Sequence, residues 1–293
     1  MDKGKELVCP TTWQPLTEAY LETVKELRTM KVGALLPMWP HWNEVMGGLQ
    51  GKQYTILCGP TGAGKTTFLA NISSQLILEG VQQFVMSVET GRHDFVTRVM
   101  SAMDGRNLRA SEPVPEKLLC DWHATHGHRF ARDTMHVSVY ESRCKVEKLM
   151  QDIRFQVEKF GCQYVVIDNL NFFMDVTRAS DANLEMDRVT HTLIEFVKQV
   201  PVHIVMVMHP KKTDGGRIES EFDIKGSSTA VQEAHNVLLF NRPSKEDVER
   251  GANRTDREIT FAKLRKRGQY QGSRLYFSVH DSVHYDERKL WRP

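Results

Sequence analysis

The sequence predicts an α/β fold: a mostly parallel central sheet with helices on both faces and an antiparallel extension at the carboxyl end. Three observations lead there. Four short apolar runs, Gln53 to Cys58, Gln83 to Val88, Tyr164 to Asp168 and His203 to Met208, are rich in Val, Ile, Phe or Met. Such runs suit strands buried on both faces. Helical patterns separate them, as crossover connections between parallel strands require. Beyond Glu258 the character changes: Glu258 to Leu264, Arg274 to Val279 and Val283 to Tyr285 lie close together, with Gly268, Gly272 and Asp281 between them. That spacing reads as antiparallel hairpins joined to the sheet edge.

Taken in order, Leu16, Tyr20, Val24 and Leu27 recur at helical spacing between Pro15 and Gly33, which predicts an amphipathic helix. Residues 37–42, Pro-Met-Trp-Pro-His-Trp, form an aromatic connector. The expected division is a docking helix and connector over 1–42 and the main domain over 43–293. Met135 to Tyr140 and Asn236 to Phe240 are weaker strand candidates. No internal repeat or low-complexity segment is apparent.

Composition narrows the class without naming it. The 293 residues suffice for one sizeable core with a short extension. Hydrophobic residues make up 40% and charged residues 26%, too balanced for a disordered chain. Thirty-nine Lys and Arg against 37 Asp and Glu exclude a globally basic nucleic-acid binder. Any polyanion contact must be local, and Arg254 to Arg274 carries seven cations against two carboxylates. Five scattered cysteines, Cys9, Cys58, Cys120, Cys144 and Cys162, contain no CxxC pair and fit a reducing compartment. The first ten residues lack an apolar signal core, and no apolar run approaches the roughly 18 residues of a membrane helix. The expectation is a soluble protein that is not secreted and makes no membrane contact.

The strongest chemical signal is Gly59-Pro60-Thr61-Gly62-Ala63-Gly64-Lys65-Thr66, followed by Thr67, between a predicted strand and a predicted helix. Glycines let a loop wrap phosphates and aim its backbone N–H groups at them, and the helix amino terminus adds a favourable partial charge. ATP with Mg²⁺ is the ligand this predicts. Lys65 would hold the β- and γ-phosphates and Thr66 would ligate the metal. Asp168, ending a buried run, is the second metal-side candidate. Glu89, just past Phe84-Val-Met-Ser-Val88, is the candidate general base for an attacking water. His209 closes a third apolar run and precedes Pro210-Lys211-Lys212. Cys120, His123, His126 and His128 have spacing compatible with zinc, although a polar helix end explains them more simply.

In order along the chain stand the phosphate loop, Glu89, Asp168-Asn169, His209-Pro-Lys-Lys212, Gly226-Ser227 with Gln232, and Lys263-Leu-Arg265. This set resembles the replicative hexameric helicases related to DnaB, most closely the Twinkle and phage primase-helicase branch, over roughly residues 40 to 280. The resemblance implies a RecA-like P-loop core in a homo-oligomer, usually a hexameric ring, with ATP between subunits and single-stranded DNA through the centre. It implies Arg265 as an arginine finger reaching a neighbour's γ-phosphate, Lys263 as its companion, and His209 as a γ-phosphate sensor. Central-channel loops map to Phe172 through Asp187 and to Lys211 through Ser227. Lys211, Lys212, Arg217 and Lys225 are the candidate DNA phosphate contacts. His235 stands where many relatives carry aspartate. No zinc-ribbon, primase or helical collar module is expected before the motor, so the first helix would dock on a neighbour. A primase or polymerase partner, and a cytoplasmic or organellar-nucleoid location, follow from the same likeness. Two other functions fit the residues: a DNA-repair or regulatory ATPase akin to RecA and KaiC, without unwinding, and a nucleotide-gated replication loader or scaffold.

Overall fold

The computed structural model describes residues 16–29, 33–87, 89–109, 113–138, 145–169, 182–211, 217–224 and 228–292. The chain divides into two compact units, Met1–Val32 and Gly33–Pro293. In the first, α1 (Leu16–Thr29) is the expected amphipathic helix, with Glu18 in its first turn.

The second unit is built on a nine-stranded sheet in the order β3-β2-β4-β5-β1-β6-β7-β8-β9. The strands are β1 (Gln53–Cys58), β2 (Gln83–Ser87), β3 (Met135–Val137), β4 (Tyr164–Asp168), β5 (His203–Met208), β6 (Asn236–Asn241), β7 (Arg257–Leu264), β8 (Arg274–His280) and β9 (His284–Trp291). The first six pair in parallel and the last three antiparallel. The carboxyl-terminal hairpins therefore extend the parallel sheet at its β6 edge. The final strand runs well past the expected Tyr285. Its charged stretch Asp286 to Lys289 is tolerated because an edge strand has open flanks, where charge discourages further pairing.

Alternation along the strands divides the core into two layers, as a period of two dictates. Tyr54, Ile56, Val165, Ile167, Ile204 and Met206 face one layer, closed by α6 (Val146–Phe160), α7 (Ala182–Gln199) and α8 (Ser228–Glu233). Leu57, Val166, Val205 and Val207 face the other, closed by α2 (Pro40–Met46), α3 (Lys65–Leu78) and α4 (Gly91–Asp104). The remaining helices are α5 (Glu116–Phe130) and α9 (Lys245–Glu249).

Two residues of the aromatic connector, Trp39 and Trp42, belong to the core. Trp39 and Trp42 are buried, Trp39 stacks on Phe68 of α3 at 5.0 Å, and its indole N–H donates to the Tyr285 carbonyl at 3.0 Å. Glu287 accepts the His41 and Trp42 N–H groups, both at 2.7 Å, and so satisfies first-turn donors of α2. The segment is thereby tied to β9 and, through Phe68, to the helix behind the phosphate loop.

Candidate active site

All six parallel strands end on one edge, and the segments leaving β1, β2, β4 and β5 there form a cleft of about 340 Å³. Such an edge is where open α/β sheets bind ligands. The phosphate loop leaves β1 and enters α3, with Gly62 and Gly64 at φ of +73° and +102°, a left-handed conformation that favours glycine. First-turn N–H groups of α3 have no intrahelical acceptor and are available to an anion. Lys65 folds over the loop and donates to the carbonyls of Gly59 at 2.7 Å and Pro60 at 3.0 Å. Burial pulls its ammonium below the ordinary lysine range, and the Asp168 charge opposes that pull.

Asp168 is 1% exposed, and its carboxylate accepts the Thr66 hydroxyl at 2.8 Å. Burial pushes its carboxyl up, opposed by the Thr66 hydrogen bond. A cation would relieve that cost, and the pair offers the hard oxygen donors that Mg²⁺ takes. The donors present thus fit a magnesium nucleotide.

Register places Ser87 opposite Asp168, so Glu89 follows the strand beside the one that carries the aspartate. Asn169 donates to the Glu89 carboxylate at 2.6 Å and lies 3.4 Å from His209 Nε2, which is 3.8 Å from Glu89. Glu89 and His209, predicted from two separate strand ends, therefore meet at the residue that follows Asp168. Asn169 joins them, although nothing in its sequence position marked that role.

The cleft also contains residues that sequence reasoning missed. Arg98 of α4 lines it and donates to Thr67 at 2.6 Å, held by Asp94 at 2.9 Å. Thr255, Arg257, Ser282 and Tyr285 arrive from the antiparallel strands and their turns. Arg257 lay inside the basic run noted above, which was the only signal available for it.

That run does not form one phosphate-facing surface. Arg257 faces the phosphate loop, Arg267 donates to the Glu44 carbonyl, and Arg274 lies over Trp291. Lys263 and Arg265 donate to Gln232 at the far end of β7, outside the cleft of their own chain. Leu264 pairs with Asn236, and Asn236 lies beside Thr55 near the start of β1, so Arg265 sits at the opposite sheet edge. At about 3.3 Å per residue the two sites are on the order of 15 Å apart, beyond the reach of one side chain. His235 anchors this edge: its ring Nδ1 accepts the Tyr54 N–H at 3.2 Å, and its carbonyl accepts the Arg265 N–H at 3.0 Å.

Arg217, expected to touch nucleic acid, is instead an internal residue. Its guanidinium pairs with fully buried Glu258 at 2.7 Å and donates to the Arg242 carbonyl at 2.8 Å. A carboxylate buried to that degree requires a cation, which removes this arginine from the nucleic-acid candidates. Lys211 donates to the Phe222 carbonyl at 2.8 Å, beside an isolated bridge between Pro210 and Ile224. Lys212, Lys225, Gly226 and Ser227 lie outside the described residues, as do residues 172–181 of the other proposed channel loop. Cys120, His123, His126 and His128 lie along α5, and among the described residues no group of three or more His, Cys, Asp or Glu is arranged to hold a metal. His126 packs against Trp122 and faces Asp104.

The sheet, the loop and the strand-end carboxylates define a RecA-like P-loop nucleotide-binding protein. Residues 38–285 match the DnaB-like helicase C-terminal domain, and the chain belongs to that family. It is 22% identical over 241 residues to the DNA helicase/primase of Enterobacteria phage T3, covering 78% of this chain and 42% of that protein. The chain thus spans about two fifths of the length of this relative. Among solved structures, the ATPase domain of G40P superposes with a TM-score of 0.77 at 12% identity, covering 95% of this chain and 100% of that one. A DnaB-like replicative helicase studied with its primase interactions gives 0.76 at 11%, covering 95% and 68%. Among the described residues no helix is long and apolar enough to cross a membrane.

Proposed function

We propose that this chain is the motor domain of a replicative DNA helicase, hydrolysing ATP between subunits of a ring, usually of six, to move on single-stranded DNA. The observation that carries the reading is the placement of the machinery at opposite sheet edges. Lys65, Thr66, Asp168 and Glu89 gather at one, while Lys263 and Arg265 stand at the other. A cation so far from its own phosphate loop acts on an adjacent copy if it acts on ATP at all.

In this reading Lys65 and the α3 amides hold the β- and γ-phosphates, and Thr66 and Asp168 hold Mg²⁺. The metal, when bound, neutralises charge on the β- and γ-oxygens. Glu89 orients and deprotonates water, with Asn169 fixing its carboxylate. His209 contacts Glu89 and immediately precedes the Pro210 bridge, so loss of the γ-phosphate is transmitted to the loop over 210–226. Lys211, Lys212 and Lys225 of that loop track the DNA backbone without sequence preference. The helix Leu16–Thr29 docks on a neighbouring subunit. The protein works inside the cell beside a primase or polymerase.

The test is ATP turnover against protein concentration, with and without single-stranded DNA. The rate per subunit rises with concentration and with DNA. Arg265→Ala lowers it by about 10³ or more while leaving ATP binding intact. Mixing Arg265→Ala with Glu89→Ala subunits restores part of the rate, because some hybrid interfaces are complete. Turnover indifferent to concentration and DNA, with no recovery in mixed rings, would sink the interfacial motor.

A further inference from the structure

We infer that Arg257, with Tyr285 and Arg242, is a positioning residue that fixes the phosphate loop through its carbonyls, so that the antiparallel extension shapes the nucleotide site. The inference rests on the phosphate-binding reading of that loop. A loop that aims its N–H groups at an anion turns the carbonyls of the same peptides away from it. Here three consecutive carbonyls are each held by a different side chain. Arg242 Nη2 donates to Gly62 at 3.0 Å, Arg257 Nε donates to Ala63, and the Tyr285 hydroxyl donates to Gly64 at 3.3 Å. Arg242 follows β6, Arg257 opens β7 and Tyr285 lies in β9, so all three come from the β6 edge and the strands added beyond it.

The donors are themselves fixed. Arg257 Nη1 donates to the carbonyls of Thr255 and Asp256, so its fork joins the phosphate loop to the turn before β7. That turn is held in place by the buried Asp256 carboxylate, which accepts the Asn253 N–H at 3.0 Å and Arg288 at 3.1 Å. Tyr285 is tied to α3, because its N–H donates to Asn71 Oδ1 at 3.0 Å and Asn71 donates to the Val283 carbonyl at 2.7 Å. The fit is close: a Cβ built on Gly64 would come within 2.7 Å of the Tyr285 hydroxyl. Donation to the Ala63 and Gly64 carbonyls also polarises the peptides whose N–H groups belong to Gly64 and Lys65, which strengthens those donors toward an anion.

The brace acts on the phosphate subsite and acts before phosphate arrives, which sets it apart from a contact to the nucleoside. The experiment measures Mg-ATP kinetics of the full chain together with calorimetric binding of inorganic tripolyphosphate in Mg²⁺, for Arg257→Ala, Arg257→Lys and Tyr285→Phe. Thermal melting serves as the folding control. Arg257→Ala should raise KM for ATP and weaken tripolyphosphate by about the same factor, tenfold or more, since a charged hydrogen bond is lost. At saturating ATP the bound phosphates impose the loop conformation, so kcat stays within about threefold. Arg257→Lys should be intermediate, because an ammonium reaches Ala63 without the fork to the turn. Tyr285→Phe should show a smaller parallel loss. A folded Arg257→Ala with unchanged KM and unchanged tripolyphosphate affinity would overturn the brace. So would a loss confined to ATP, which would make Arg257 a nucleoside contact. If Arg257→Ala does not fold, the lysine and phenylalanine variants decide by the same criteria. Wild-type protein that binds tripolyphosphate without turning over ATP would end the hydrolase reading while leaving the brace measurable.

Discussion

His203 gives the most direct test of the buried polar layer at the amino-terminal edge of the sheet, the edge that carries Arg265. Its ring is fully buried, with Nδ1 2.9 Å from the Gln50 carbonyl and Nε2 2.9 Å from the Thr55 hydroxyl. A carbonyl only accepts, so Nδ1 carries the proton and Nε2 accepts from Thr55. The Thr55 oxygen in turn accepts from Asn236 at 2.9 Å. The network is satisfied only with a neutral ring. Burial lowers the imidazole from 6.5 to about 4, opposed by the Gln50 carbonyl and aided by His235 and Lys266. The sign follows from linkage: the unfolded chain takes up this proton below pH 6.5, the folded chain only near 4, so stability is full above 6.5 and falls as pH drops through that window. At pH 5 the loss from this one group is about 2 kcal/mol. His235, also lowered to about 4 by burial, adds in the same direction. The assay is urea unfolding of the wild type and of His203→Gln between pH 7.5 and 5. The quantity compared is the pH slope, which the variant's own destabilisation does not alter. If both proteins lose stability equally over that range, His203 is not held neutral and the proposed tautomer is wrong.

Arg217→Ala should destabilise the domain by about 3 kcal/mol, because it removes the 2.7 Å partner of the buried Glu258 and leaves it Arg274 at 3.9 Å. DNA-stimulated turnover of the folded fraction should be unchanged, and a loss of DNA affinity without a loss of stability would return this arginine to the nucleic-acid surface. Thr66→Ala and Asp168→Asn should each raise the Mg²⁺ concentration for half-maximal ATP turnover by about tenfold or more, read from a metal titration at fixed ATP. A metal dependence like the wild type's in both variants would remove the pair from the magnesium site.

Much of the site was legible in the chain because its signals are local. The glycine spacing at Gly59 to Thr66 dictates a tight turn into a helix amino terminus wherever it occurs. The runs ending at Asp168 and Met208 state their own burial, since only a strand covered on both faces is apolar throughout. Residue type at a strand end then suggested Glu89, Asp168 and His209 one at a time. The basic run from Arg254 to Arg274 shows where local reading stops. Its composition pointed to one charged surface, yet a strand passes through it, so Arg257 and Arg265 emerge at opposite sheet edges. Arg217 misled for a related reason: its acidic partner, Glu258, is 41 residues away and neither side chain signals burial.

What the sequence alone determined is therefore the phosphate loop, the parallel strands around it, the antiparallel end and the family. The tertiary structure decided the strand order, which brings Asn169 within hydrogen-bonding distance of both Glu89 and His209, residues 120 positions apart. It also decided the folding of Trp39 and Trp42 into the core and the three side chains that hold the carbonyls of the phosphate loop. The reason is physical: a strand or turn is specified by a handful of neighbouring residues, whereas a contact across the sheet depends on crossover connections and register. Those are fixed only when the two apolar layers on either side of the sheet close together.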